Sequence, residues 1–358
     1  MTYPPFSADC VRPIAKTHAI GHAKGVSSTK STKRIVTVTP NPSIDATVHI
    51  PALRRGEVVR ATATRKEAGG KGINVAHAAA MAGYDATAVA PCQQSDPFAT
   101  AMRAVPVAFV PVHIASAVRT NTAITEDDGT TTKVNEAGSE LSDAELDAVE
   151  SALAQHCSGA DAVALAGSLP PGAPTDWYAS LVHTVRASAT DAIVAVDTSD
   201  APLLALGEHL PLAAPDVNKP NAFELAQLTD NDGRELEARA AAGDYAPVVS
   251  AGRDLVQRGI REVLVTLGSA GACLITAEAA WAATPPPTVV KSTVGAGDSS
   301  LAGYLTARID GETLADCLRR AVAYGSAAAA KPQSRRKPPC PLRRRGVHSA
   351  MIRRIDKP

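Results

Sequence analysis

Aromatic side chains are scarce in this chain. Four Phe, two Trp and six Tyr make up 3% of 358 residues. A core must therefore be assembled from Ala, Val and Leu, and a 45% hydrophobic composition supplies enough of them. Cysteines are few and scattered, at 10, 92, 157, 273, 317 and 340, with no CxxC pair. That argues against a disulfide framework or a zinc knuckle and fits a reducing, cytoplasmic setting. The nine histidines form no HExxH pattern. No apolar run approaches the roughly 18 residues of a membrane span. Net charge is also missing, with 36 basic and 36 acidic residues, but it is unevenly spread. Residues 331–358 hold ten Lys/Arg and one Asp, which leaves 26 basic and 35 acidic residues for the rest. The acidic body, and a basic tail without interleaved aromatics, argue against a nucleic-acid partner.

Residues 1–33 are polar, and their lack of an apolar stretch speaks against a secretory signal. We expect a disordered extension there, or a gene start set too far upstream. Order is expected from Arg34. RIVTVTP reads as a buried strand. DATVHI and GEVVRATATR flank PALRRG as a small antiparallel unit, and RTNTAITEDDGTTTKVNEAG reads as two strands about an Asp-Gly turn. AGGKGINVAHAAAMAGY enters a helix after two glycines and leaves it at Gly83. SDAELDAVESALAQH is an amphipathic helix with Ser142 as N-cap and Glu145 three residues on. DAVALAGS, AIVAVDTS, APDVNKP and EVLVTLGS then alternate with helical segments, which implies a parallel sheet covered on both faces. The short strands near 46–64 and 119–135 do not fit that layer and read as a separate lid.

The polar and glycine-rich turns follow different strands. STVGAGDS sets Gly295, Ala296 and Gly297 before Asp298 at the mouth of a helix. Bare amides there can cradle a phosphate, and a carboxylate beside them can accept a proton from an attacking hydroxyl. A plain glycine turn with an Asp at the positive end of the helix dipole explains the same text. PNPSID places Asp45 past the first strand, to meet a polyhydroxylated ligand or to make an Asx turn. GGKGIN offers Gly69, Gly70, Lys71 and, one turn on, Asn74, without Walker A or Rossmann spacing. NAFE offers Asn221 and Glu224 at i, i+3, either as hard oxygen ligands for Mg²⁺ or as a capping box. LAGSLPPG brings Ser168 to the same edge. TLGSAG brings Thr266, Gly268 and Gly271, which would line a nucleotide pocket.

Taken together, TVTPNPSID, AGGKGINVA, RTNTAITEDDGTTTKVNEAG, LAGSLPPG, VNKPNAFEL, VTLGSAGACLIT and STVGAGDS resemble the PfkB (ribokinase-like) sugar kinases over residues 35–330. The resemblance implies a three-layer α/β/α sandwich with a mostly parallel sheet and a small β lid, often dimeric through the lid. It implies transfer of phosphate from ATP, with Mg²⁺, to a sugar phosphate. Within the family the chain is most similar to kinases of fructose 1-phosphate, which form fructose 1,6-bisphosphate. Tagatose 6-phosphate and fructose 6-phosphate are alternative acceptors, and a degraded kinase that binds without turnover is a further alternative. By position, Asp298 resembles the general base and Gly295, Ala296 and Gly297 the anion hole. Asp45, Gly69, Gly70, Lys71, Asn74 and Ser168 match the sugar-phosphate side, with Arg119 and Lys133 reaching in from the lid. Asn221 and Glu224 match the magnesium motif, and Lys219, Thr266, Gly268 and Gly271 the nucleotide side. Ser292 stands where many relatives carry Asp, which leaves activation by a monovalent cation open. After AVAYGSAAAA the text departs from the family as a frame shift would make it. We expect residues 331–358 to be disordered and to contribute few contacts.

Overall fold

The computed structural model describes residues 32–287, 289–330 and 350–355. The disorder expected over 1–33 thus falls outside the described residues up to position 31. In chain order the strands are β1 (Arg34–Val38), β2 (Ser43–Ile50), β3 (Ala63–Gly69), β4 (Asp85–Pro91), β5 (Ala108–Val112), β6 (Arg119–Glu126), β7 (Thr131–Asn135), β8 (Ala162–Ala166), β9 (Ile193–Asp197), β10 (Val217–Asn218), β11 (Glu262–Thr266), β12 (Ala272–Ile275), β13 (Ala280–Thr284) and β14 (Met351–Arg354). The helices are α1 (Lys71–Met81), α2 (Pro97–Met102), α3 (Asp143–Cys157), α4 (Trp177–Ser188), α5 (Asp200–Glu208), α6 (Ala222–Thr229), α7 (Gly233–Ala241), α8 (Ala246–Gln257), α9 (Ala296–Ile309) and α10 (Leu314–Ala329).

The main sheet runs β14-β13-β12-β11-β10-β9-β8-β1-β4-β5. It is parallel from β11 to β5 and antiparallel from β11 to β14. Its strands carry different side chains on their two faces. Ala86, Ala88, Ala90, Ala162, Ala164 and Ala195 point into one layer with α1, α9 and α10, while Val89, Val163, Leu165, Val194 and Val196 point into the other with α3 and α4. Period-2 alternation separates the layers. The alanine face lets α1 and α9, which carry the site, pack closely on the sheet. A third cluster, from α6, α8 and β11–β13, closes the far end. A core so built needs few aromatics; Tyr178, Tyr304 and Phe98 are its largest fully buried side chains.

The lid is the second sheet, in order β3-β2-β6-β7. β2 pairs antiparallel with β3 and parallel with β6, and β6 turns back into β7 with Gly129 at φ 91°. The lid lies where the sequence places it, with one shift. Glu57–Arg60 is not strand, because β2 ends at Ile50 and Pro51 leaves nothing for that stretch to pair with; β3 begins only at Ala63.

The expectation for the last residues is corrected in part. Residues 331–349 and 356–358, and any frame shift there, lie outside the described residues. Residues 350–355, however, are not a segment of few contacts. β14 pairs with β13 along Trp281↔Arg354 to Thr284↔Met351, Ala350 is buried, and Ile352 and Ile355 pack onto two different core clusters. Arg353 lies over the Tyr245 ring at 5.1 Å and donates to Gly243 O at 2.8 Å. The basic composition of the tail hid a short stretch, MIRRI, whose two Ile anchor it to two core clusters while its Arg side chains stay exposed, as suits an edge strand.

Candidate active site

The chain runs from β1 outward to β4 and β5 and then returns, by way of β6, β7 and α3, to β8 on the other side of β1, so the strand order reverses there and a crevice opens beyond the strand carboxyl ends. The turns after β1, β8, β9, β10 and β11 all open there.

Gly295 caps α9 at φ 72°, the left-handed region that glycine enters without strain, and this turns the chain so that α9 begins at Ala296. Ala296 N–H already donates 3.3 Å to Thr293 O, whereas Gly297 and Asp298 open the helix with first-turn amides. Asp298 is buried, and Asn74 Nδ2 donates to its Oδ2 at 2.7 Å. Burial, and then the charge of Asp197, hold the Asp298 carboxyl above the usual carboxylate range despite Lys71, Asn74 and Lys219.

Asp197 closes β9 and is 1% exposed. Lys71 Nζ lies 2.8 Å from its Oδ1, and Lys219 Nζ 3.1 Å from its Oδ2. Burial alone would raise this carboxyl, but the ammonium groups of Lys219 and Lys71 outweigh it and hold it low. Burial pulls the Lys71 ammonium down, but Asp197, then Glu224 and Asp298, outweigh it and hold it above its ordinary value. Sequence reading missed Asp197. Its signal was an acid ending an otherwise apolar buried strand, AIVAVD.

On the lid side, Asp45 accepts from Ser43 Oγ at 2.8 Å. A Cβ at Gly69 would fall 2.4 Å from the Asp45 carboxyl, so only glycine lets β3 pass beneath it. Gly70 caps α1 directly before Lys71. Arg119 donates to Ser168 Oγ (3.2 Å), Asn41 O (3.1 Å) and Glu136 O (2.9 Å), and burial lowers its pKa while Asp45 and Glu136 oppose the shift. Asn41, which sequence reading did not single out, donates to Ser168 Oγ, Ala137 O and Leu169 O and so ties the β1 turn to the β8 turn. Lys133 is not drawn into this cluster. It is exposed on β7, on the same lid face as Asp45 but one row farther out, opposite Ala123.

Across the crevice, a cavity of about 820 Å³ is lined by Asn221, Thr266, Gly268, Gly271 and Gly297, with an apolar wall that includes Pro285–Pro287 and Phe223. Lys219 is not on that wall; it is buried beneath it against Asp197. Ser292 Oγ accepts from Val294 N–H at 3.3 Å.

Asn221 and Glu224 form a capping box. Asn221 Oδ1 accepts from Phe223 and Glu224 N–H, and Glu224 Oε2 accepts from Asn221 N–H at 2.8 Å. The cap uses one carboxylate oxygen. Burial raises the Glu224 carboxyl despite the nearby Lys71. Asn221 lines the cavity, and its amide oxygen together with the Glu224 carboxylate offers the oxygen ligands that a hard cation such as Mg²⁺ takes. No group of three or more His, Cys, Asp or Glu among the described residues could hold a metal by itself, so phosphate and water oxygens would complete its shell.

The family model for pfkB family carbohydrate kinases matches residues 39–340. The chain belongs to the pfkB family of carbohydrate kinases. It is 37% identical over 293 residues to a 1-phosphofructokinase of Xanthomonas campestris, covering 81% of this chain and 89% of that one. It is 37% identical over 301 residues to a 1-phosphofructokinase of Rhodobacter capsulatus, covering 83% and 90%. Among solved structures it matches phosphofructokinase-2 of Escherichia coli in complex with fructose-6-phosphate, with a TM-score of 0.73 and 28% identity over 83% of this chain and 94% of that one. This pfkB-family chain is therefore a sugar kinase, a phosphotransferase that uses ATP, with the ribokinase-like α/β fold. No described helix is long and apolar enough to cross a membrane.

Proposed function

We propose that this kinase transfers the γ-phosphoryl group of ATP to the 6-hydroxyl of fructose 1-phosphate, giving fructose 1,6-bisphosphate. The acceptor is argued from the 1-phosphofructokinases that the chain resembles. The observation that carries the chemistry is Asp298: a buried carboxylate at a helix N-terminus, between a lid-side cluster and a large cavity, with lysines close by.

Asp298 is the general base that takes the hydroxyl proton as the bond to phosphorus forms. Asn74 orients its carboxylate. The amides of Gly295 and Gly297, and that of Ala296 on giving up its 3.3 Å bond to Thr293 O, receive the charge on the transferring group. Lys71, Arg119 and Ser168 grip the acceptor's existing phosphate, Asp45 its hydroxyls beside Gly69 and Gly70, and Lys133 closes in from the lid. Thr266, Gly268 and Gly271 hold the nucleotide, with Lys219 at the phosphates. Asn221 and Glu224 hold Mg²⁺, which neutralises phosphate charge when bound. Exposed Val58 and Val134 give the lid apolar surface that a second copy would cover in a homodimer. A cytoplasmic location suits the free cysteines at 92, 157, 273 and 317.

A coupled ADP-release assay with fructose 1-phosphate, fructose 6-phosphate and tagatose 6-phosphate tests this reading. We expect the highest kcat/KM with fructose 1-phosphate. Higher turnover with either other sugar moves the acceptor assignment, and no turnover with any identifies a binder.

A further inference from the structure

Asp197 is buried between Lys71 and Lys219 and is not among the residues that line the cavity. Its backbone is fixed on both sides: Gly167 N–H donates to Asp197 O at 3.0 Å, and Lys219 N–H to Val196 O at 3.1 Å. Its side chain takes one lysine on each oxygen. Lys71 comes from the first residue of α1, on the lid side of the crevice, and Lys219 from the turn after β10, on the cavity side. Lys219 Nζ reaches to within 3.4 Å of where a Cβ on Gly297 would stand, beside the α9 amides. One turn after Lys71, on the same face of α1, Asn74 binds Asp298. Burying Asp197 and Lys219, with Lys71 partly buried beside them, is costly, and a core built for stability alone would do as well with apolar side chains. The cluster makes sense if both ammonium groups must be held at fixed places.

We propose that Asp197 is a positioning residue of this kinase, anchoring Lys71 for the acceptor and Lys219 for the donor with one carboxylate oxygen each. The inference rests on the sugar-kinase reading above. It predicts a two-sided effect from one carboxylate, because the lysines approach from opposite sides.

The test uses the full chain and the variants Asp197→Asn, Lys71→Gln and Lys219→Gln, singly and in pairs. Turnover is measured with fructose 1-phosphate and ATP, and binding by calorimetry with fructose 1-phosphate and with ADP. Asp197→Asn should lower kcat about 100-fold and weaken both ligands. Lys71→Gln should weaken mainly the sugar phosphate, and Lys219→Gln mainly the nucleotide. Adding Lys71→Gln to Asp197→Asn should cost less than about threefold more, because the lysine has already lost its anchor. Asp298 is faced by Asp197, Lys71 and Lys219 and bonded by Asn74, so removing the Asp197 charge should also shift the acid limb of kcat/KM to lower pH. The limb follows from the Asp197 charge alone, whereas the coupling between Asp197 and each lysine is what a merely structural acid would not produce. If Asp197→Asn fails to fold, the pair Asp197→Asn with Lys219→Gln removes both deeply buried charges and leaves only Lys71, whose side chain is 33% exposed. On that background Lys71→Gln should again add less than about threefold. Losses that multiply independently, or an Asp197→Asn enzyme altered only in Tm, overturn the proposal. A wild type that binds both ligands without transferring phosphate refutes the sugar-kinase reading while leaving the coupling measurable. A wild type that binds neither overturns both.

Discussion

As the proposed base, Asp298 must be ionised to take a proton, and its surroundings work against ionisation. Burial and the Asp197 charge raise its pKa. Activity should therefore be full above that raised value and fall as pH drops through it. The acid limb of kcat/KM then lies above the ordinary Asp value of about 3.9. A limb at or below the ordinary value, measured by steady-state assays across pH, would show that another group titrates. Glu224 caps α6, and in the proposed function the same side chain also holds Mg²⁺. Glu224→Gln keeps an oxygen for the cap on Asn221 N–H and removes the negative charge, so the magnesium needed for half-maximal rate should rise several-fold with little change in Tm. An unmoved magnesium profile would leave only the cap. At this scale the glycine-flanked residues were legible, because Gly295 and Gly69 mark places where the backbone must turn or pass closely. Asp197 and Asn41 were not legible as site residues. Their partners are Lys71 and Lys219 for one, and Ala137, Ser168, Leu169 and Arg119 for the other, all far away in sequence. Local text carries no sign of such pairings.

Periodicity and caps placed most elements. α3 carries the capping box Ser142/Glu145 read from its sequence, and α1 leaves at Gly83 with φ 93°. β10 is only two residues long, and its membership in the sheet comes from β9 and β11 on either side. The last element is where composition misled. A basic, proline-rich tail reads as unfolded, yet β14 covers the edge of β13. Ile352 is half-buried against the main core cluster, so Ile352→Ala should cost about 1–2 kcal/mol. That corresponds to a fall of about 2–3 °C in Tm for a domain of this size. Deleting residues 350–358 should cost more, because it also strips the β13–β14 ladder and the Arg353–Tyr245 contact. Thermal unfolding checks both; a deletion that leaves Tm unchanged would mean that β14 adds nothing to the fold.

On the scale of the whole molecule, the shortage of aromatics and the Ala/Val division of the sheet belong together. Alanine on one face brings α1 and α9 close to the strand ends, and those two helices deliver Lys71, Asn74 and Asp298 to one point. The lid adds Asp45 and Arg119 from the other side. The central claim is that this junction moves phosphate onto a sugar phosphate with Asp298 as base. Phosphorus NMR of a reaction with fructose 1-phosphate and ATP, run with wild type and with Asp298→Asn, tests it most directly. The wild type should build a second phosphate ester at carbon 6 while ATP becomes ADP. Asp298→Asn should do so about 10²–10⁴-fold more slowly, with both substrates still bound by calorimetry. A variant that forms the bisphosphate at near wild-type rate, or a wild type that forms none, would contradict the account.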